Sequence, residues 1–298
     1  MKSRPAAEFL LLLLLSIFAG WTTLAATFTL AWASDEYTHI LLIIPVSAAL
    51  IWMDRSAFAS NRERDLKSGS ILLIAAVCLM FMARLSPALA PDEKLTAGML
   101  ALVTWWIGAF ILCFGIVVAR VLLFPLVFLY WLTPFPNFLL HDVIAWLQQG
   151  SAVAANLLFE LAGVPVVQDG VRLSIPGLTV EVATECSSIR SSMMLLVTTM
   201  VLAQLILRSP WRKLVAITIA VPLSVAKNGL RIFTIAMLGT RVDRGYLTGK
   251  LHHEGGGVFF GIALLLMFLV LWILQRGDNA SLSKRQTIAP AHSGATPN

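Results

Sequence analysis

The chain reads as an all-α polytopic membrane protein of about eight transmembrane helices, with a small extracytoplasmic β element set before Cys186. Three observations carry that reading. Hydrophobic residues make up 58% of the chain and charged residues 13%, and the mean hydropathy is +0.83, more apolar surface than one water-soluble core of ordinary composition can hide. Apolar runs of bilayer length recur along the sequence: about 20 such residues cross the hydrocarbon as a helix, with every backbone polar group bonded internally. Lys and Arg also collect in alternate connecting segments, as the positive-inside rule requires.

The spans fall near 7–32, 39–53, 69–85, 96–119, 121–134, 186–207, 213–239 and 257–275. Lys2 and Arg4 precede the first as they would a signal peptide, but its leucine run continues through Trp32 without a convincing cleavage site, so the helix is expected to be retained. The second and fifth spans are short. Either is open to being tilted, re-entrant or longer than drawn, which leaves the count open by about one.

Between the fifth and sixth spans the pattern changes. Residues 140–163 alternate Val143, Trp146, Leu147, Ala154, Leu157, Leu158 and Leu161 with Asp142, Gln148, Gln149 and Asn156, the pattern of a helix lying along the outer interface. Asp169-Gly170 then sits among β-branched residues in 164–175 and predicts a hairpin. A second extended run, Leu178 to Val182, leads into Thr184-Glu185-Cys186. Residues 1–275 are read as a single integral membrane domain and 276–298 as a disordered cytoplasmic tail.

With the amino terminus inside, Lys2 and Arg4, then Arg55, Arg62, Arg64 and Lys67, then Arg208, Arg212 and Lys213, and finally Arg276, Lys284 and Arg285 all fall in the cytoplasm. Both termini then lie there. The last outer loop, with Arg241, Arg244 and Lys250, runs against the rule. The net charge of +6 is therefore assigned to topology and attraction to anionic membrane lipid. The basic residues are scattered and lack interleaved aromatics, so no nucleic-acid partner is expected.

Cys78 and Cys113 lie inside the third and fourth spans and read as small buried hydrophobes. Cys186 differs, because it opens a helix through Ser187-Ser188-Ile189-Arg190-Ser191-Ser192. Unpaired N–H groups at a helix start stabilise a thiolate and an oxyanion alike, while Glu181 and Glu185 act against this. The outer loops offer no disulfide partner, so the thiol is expected to be free. Arg231 lies in Lys227-Asn228-Gly229-Leu230-Arg231 within an apolar span, where a charge implies a partner, a wet cavity or a function. Counted from Arg212 it is roughly 28 Å along the helix, near the outer surface; snorkelling or a pairing with Glu185 would also account for it. His252 and His253 precede Glu254-Gly255-Gly256-Gly257 at the start of the last span, with a side chain suited to proton transfer near neutral pH. Their spacing is not that of a zinc helix, and neither a metal nor another cofactor is expected. His39, at the outer start of the second span, either lines the same cavity or is a polar end residue.

The cysteine starts an inward-running helix, the arginine ends an outward-running one and the histidine starts the next inward one, so all three reach one membrane face. Together they suffice for acyl transfer: a thiolate to attack, an imidazole to relay protons, and a guanidinium to steady the oxyanion.

Thr184-Glu185-Cys186-Ser187-Ser188-Ile189-Arg190, Asn228-Gly229-Leu230-Arg231, and His252 ahead of Phe259-Phe260 resemble the three signature blocks of the exosortase/archaeosortase family. Thr38-His39, Asp54-Arg55, Phe124-Pro125-Leu126, Pro134-Phe135-Pro136 and Gly163-Val164-Pro165-Val166 are similar as well. The resemblance covers most of 34–275 and is strongest over 157–260. Ser188 and Gly257 depart from the family's usual glycine and tryptophan. The resemblance implies Cys186 as acyl-thioester nucleophile, Arg231 as proton donor or stabiliser and His252 as third active residue, with His253 and Arg190 as second choices. It implies a cysteine protease-transpeptidase of the bacterial inner membrane, with its active site on the periplasmic side. Its partners would be exported proteins with a C-terminal hydrophobic sorting tail of the PEP-CTERM type, and an unknown surface acceptor; such systems accompany exopolysaccharide production. The rival reading is a small transporter or channel for an anionic solute. It gives Cys186 no task, and no internal repeat supports it.

Overall fold

The computed structural model describes residues 4–59, 64–182, 189–243, 245 and 256–288, with side chains described through Asp278. Cys186 and His252 lie outside the described residues. Among the described residues six helices are long and apolar enough to cross a membrane, or up to eight spans if each of two sharply bent helix pairs counts as one. The described chain divides into two compact units, Met1–Asp142 and Val143–Asn298, a division the sequence reading does not make.

The first unit holds α1 (Arg4–Ala19), α2 (Trp21–Ala33), α3 (Ile40–Met53), α4 (Leu66–Leu85), α5 (Pro91–Val121) and α6 (Leu123–Phe128). Its centre is α5, whose apolar window is 72% buried. α4 lies along α5 on a stripe of small residues, Gly69, Ala76 and Ala83, which are its buried positions and recur every two turns. A Cβ at Gly69 would come within 2.7 Å of the Leu112 backbone. Cys78 sits on the other side of α4 and is exposed, contrary to the buried position expected of it, while Cys113 is buried.

Two expected spans are sharply bent. Residues 7–32 form α1 and α2, bent by 75° at Gly20, where a Cβ would meet the Leu102 side chain at 2.5 Å. α1 is held to α5 by Trp105 Nε1 donating to the Leu12 carbonyl at 3.1 Å and Trp106 Nε1 donating to Ser16 Oγ at 2.9 Å. Hydropathy counts residues and is blind to direction. The span at 121–134 is α6 continued by a 3₁₀ turn, Leu129–Leu132, and then an extended Thr133–Pro136. Pro134 and Pro136 disfavour helix at the residue before each, and the chain turns there by 97° into the next helix.

Asp65 caps α4, its Oδ1 accepting the Ser68 N–H at 2.9 Å. That bond holds its carboxyl below the usual carboxylate range. The cap is therefore fully present above the ordinary carboxylate pKa and is lost as pH falls through the lowered one. We expect Asp65→Ala to speed amide exchange at Ser68 near neutral pH and the difference to close in acid; equal exchange at neutral pH would count against the cap.

The second unit holds most of α7 (Asn137–Leu161), strands β1 (Val167–Asp169), β2 (Arg172–Ile175) and β3 (Leu178–Glu181), and helices α8 (Ile189–Ile206), α9 (Pro210–Arg241) and α10 (Gly256–Ile288). The sheet is antiparallel in the order β1-β2-β3. Its turns fall at Gly170 (φ 59°) and Gly177 (φ 82°), values that favour glycine. The hairpin expected over 164–175 is present, and the run from Leu178 is its third strand.

α7 does not lie flat across the surface as its amphipathic pattern suggests. It follows α9 in the same sense: Gly150 approaches Val225, Ser151 bonds Asn228, Ala154 abuts Gly229, and Phe159 packs edge-on against Phe233. Two of its polar residues, Gln148 and Ser151, turn inward to partners, while Gln149 and Glu160 stay exposed.

α8, α9 and α10 alternate in direction. At one end the Asp278 carboxylate accepts the backbone N–H groups of Arg208 and Ser209 at 3.0 and 3.4 Å and pairs with Arg212 at 2.8 Å. α10 therefore continues as helix to Ile288, where the sequence reading begins an unstructured tail at 276. The starts of α8 and α10 and the last turns of α9 lie toward the opposite end.

Gly229 is the tightest point of this unit, since a Cβ there would sit 2.5 Å from Ala154 Cβ and 3.0 Å from its carbonyl carbon. Gly229→Ala is expected to cost about 1–3 kcal/mol by overpacking. Gly261→Ala, with nothing within 4 Å of the added methyl, should cost nothing. Thermal unfolding in detergent distinguishes the two, and equal midpoints would refute the contact.

Candidate active site

Of the three expected site residues, the structure describes Arg231. It is half-buried on α9, one turn beyond Lys227 and three residues beyond Asn228, which places these polar groups along one side of the helix. The sequence reading names Lys227 without giving it a task. The structure buries it to 6% exposure and directs its ammonium Nζ to Ser191 Oγ in the first turns of α8. The signal was available: a lysine four residues from Arg231 in an apolar span meets the same objection to buried charge as the arginine does.

Asn228 is 1% exposed, and its Nδ2 donates to Ser151 Oγ at 2.9 Å, a fully buried bond. One turn back on α7, Gln148 Nε2 donates to the Val182 carbonyl at 2.8 Å. Val182 is the last described residue before the segment holding Cys186, and Ile189 the first after it. Both described ends of that segment are therefore tied to the same level of the unit, Val182 through Gln148 to α7 and Ser191 through Lys227 to α9. Arg231 stands one turn further along.

The sheet covers this level. Leu173, Ile175 and Val182 are buried against Phe159, Ile232 and Ala236. Arg172 and Glu181 pair at 3.0 Å on its exposed face. Glu181, expected to oppose a thiolate, is thus occupied by a cation. Beside the polar cluster, α7 and α9 border an open apolar cavity of about 730 Å³ whose walls include Trp146, Val153, Leu157, Val221 and Pro222.

His39 is 2% exposed. Its Nδ1 lies 3.1 Å from the Glu36 carbonyl and its ring stands edge-on to Trp131, so it has partners within its own unit, at the start of α3. Among the described residues no group of three or more His, Cys, Asp or Glu is gathered as a metal would need.

Helices long and apolar enough to cross a bilayer, with bonded polar side chains joining α7, α8 and α9 and a small sheet beside them, define a polytopic membrane protein. A model of the transmembrane exosortase family matches residues 21–269. The chain belongs to that family, whose members are membrane cysteine transpeptidases. No curated protein and no solved structure matches the chain.

The Asn228–Ser151 bond is expected to couple α7 to the site. In a double-mutant cycle with Asn228→Ala and Ser151→Ala, the pair should show a coupling of about 0.5–1.5 kcal/mol in detergent unfolding. Additive losses would mean that the two side chains act independently.

Proposed function

We propose that the protein is a membrane-embedded cysteine protease-transpeptidase that cleaves C-terminal sorting signals of the PEP-CTERM type from exported proteins and passes them to a surface acceptor. The reading rests on family membership and on one structural observation. The described ends of the segment carrying Cys186 are bonded to α7 through Gln148 and to α9 through Lys227, one turn before Arg231. A residue three positions before Ile189 lies within about 11 Å of it by chain reach alone, which agrees with Cys186 and Arg231 sharing a site. His252 precedes the start of α10 by four residues in the sequence.

In this mechanism the Cys186 thiolate attacks the scissile carbonyl, and Arg231 steadies the tetrahedral oxyanion. His252 gives a proton to the departing amine as the C–N bond breaks, leaving a thioester and releasing the apolar anchor. An acceptor amine or water then attacks the thioester, His252 takes its proton, and the C–S bond breaks. Lys227 and Asn228 hold α8 and α7 against α9 so that these groups keep their spacing. The active site belongs on the periplasmic side of the inner membrane, with both termini in the cytoplasm and residues 1–275 acting as one functional domain.

The test is an immunoblot of a secreted reporter ending in the sorting tail of an exported protein from the same organism. Wild type is expected to trim it, and Cys186→Ala to leave it full length at equal membrane abundance. Arg231→Ala should reduce trimming by about 10²–10³-fold if it supplies oxyanion stabilisation. Equal trimming by wild type and Cys186→Ala would remove the thiol mechanism.

A further inference from the structure

The sheet has two outer edges, and only that of β3 runs toward Cys186. The register pairs Ile175 with Leu178 across the two-residue turn Pro176-Gly177, then Ser174 with Thr179, Leu173 with Val180 and Arg172 with Glu181. In such a ladder, bonded and non-bonded pairs alternate. Val182 N–H donating to the Val171 carbonyl at 3.0 Å sets the phase, so Leu178, Val180 and Val182 turn their backbone groups toward β2. Thr179 and Glu181 turn theirs away. Among the described residues no strand pairs with that side of β3, and Thr179 and Glu181 are exposed. By the same count, Gln168, opposite Leu173, is the residue of β1 that faces the other edge.

Two further features single out the β3 edge. A cavity of about 340 Å³ opens at its first residue, walled by Pro176, Gly177 and Leu178 on one side and residues 239–243 on the other. Its far end is anchored, because Gln148 holds the Val182 carbonyl and the sheet's apolar face is buried on α7 and α9. A strand fixed along its length, with a cavity at its start and the candidate nucleophile four residues beyond its anchored end, is a template for an extended chain.

We propose that the free edge of β3 is the peptide-binding element of this protein. A substrate segment adds there as a fourth strand, bonded to the N–H and C=O groups of Thr179 and Glu181, with one end in the cavity and the other led toward residues 183–188. Recognition by backbone fixes the register of the scissile bond and leaves alternate side chains of the segment free to vary. The proposal rests on the transpeptidase reading and deepens it.

Thr179→Pro removes one outward N–H and no backbone bond to β2, along with the exposed Thr179 Oγ1–Ser174 Oγ contact at 3.3 Å. Gln168→Pro makes the same change on the opposite edge. With the reporter above, at matched membrane abundance, Thr179→Pro is expected to lower the trimming rate about tenfold, the loss of one hydrogen bond to substrate, and Gln168→Pro to trim like wild type. A photoreactive side chain gives a second readout in otherwise wild-type protein held with uncleaved reporter: placed at Thr179 it should capture the reporter's tail, and placed at Val167, exposed on β1, it should not. Equal rates for the two proline variants, or equal capture from both strands, would overturn the proposal. Cys186→Ala keeps the two readings apart. If it abolishes trimming while Thr179→Pro trims normally, the edge is wrong and the mechanism stands; if it trims normally, the mechanism falls whatever the edge does.

Discussion

The close approach of α7 to α9 is the constraint from which the second unit is built. Gly229 and Ala154 bring the two backbones together, and only at that separation can the short side chain of Ser151 meet Asn228. Where lipid offers no hydrophobic drive between helices, packing of small residues and interhelical hydrogen bonds supply the association. Once α7 is held there, Gln148 faces the end of β3 and Phe159 supplies a floor for the sheet. A larger residue at 229 would displace each of these at once.

The polar groups of the unit are distributed by the same logic. At one end, Asp278 gathers the α8–α9 turn and Arg212, which fixes the alternation of α8, α9 and α10. At the other, Lys227 reaches Ser191 and so joins α9 to the beginning of α8. A charge inside a span is costly unless partnered, and this one is placed where its partner also positions the chain leaving the Cys186 segment. Between the two ends the helices meet through Leu195, Ala203, Ala216, Ala220, Ala263 and Met267. The alanines among them let the spans pack closely.

Most of this was legible in sequence where the signal is local. Apolar length located the helices, and Asp169-Gly170 located the hairpin, because each depends on residues near in the chain. Arg231 was legible because a charge among apolar neighbours needs a reason. The misreadings share a cause: they concern direction and partnership, which composition does not encode. The turn at Gly20 answers to Leu102 of another helix, the exposure of Cys78 to which side of α4 meets α5, and the helix beyond Arg276 to the turn that Asp278 holds. α7 was assigned to the surface because its polar residues suggested water, yet Gln148 and Ser151 face partners 34 and 77 residues away. Lys227 went unassigned because its partner, Ser191, is 36 residues distant.

The same bonding pattern separates a transpeptidase from a solute pathway. A permeation route needs polar side chains that face a passing ion and exchange it readily. Here Lys227, Asn228, Gln148 and Ser151 are engaged with one another's helices or with the strand, and the cavity beside them between α7 and α9 is walled by Trp146, Val153, Leu157 and Val221. Such groups are committed to holding elements in register, the requirement of a reaction whose rate depends on spacing to within about an ångström. Arg231 stands one turn beyond Lys227 on the same helix, and in the proposed mechanism its charge serves an oxyanion that exists only while a bond is being exchanged.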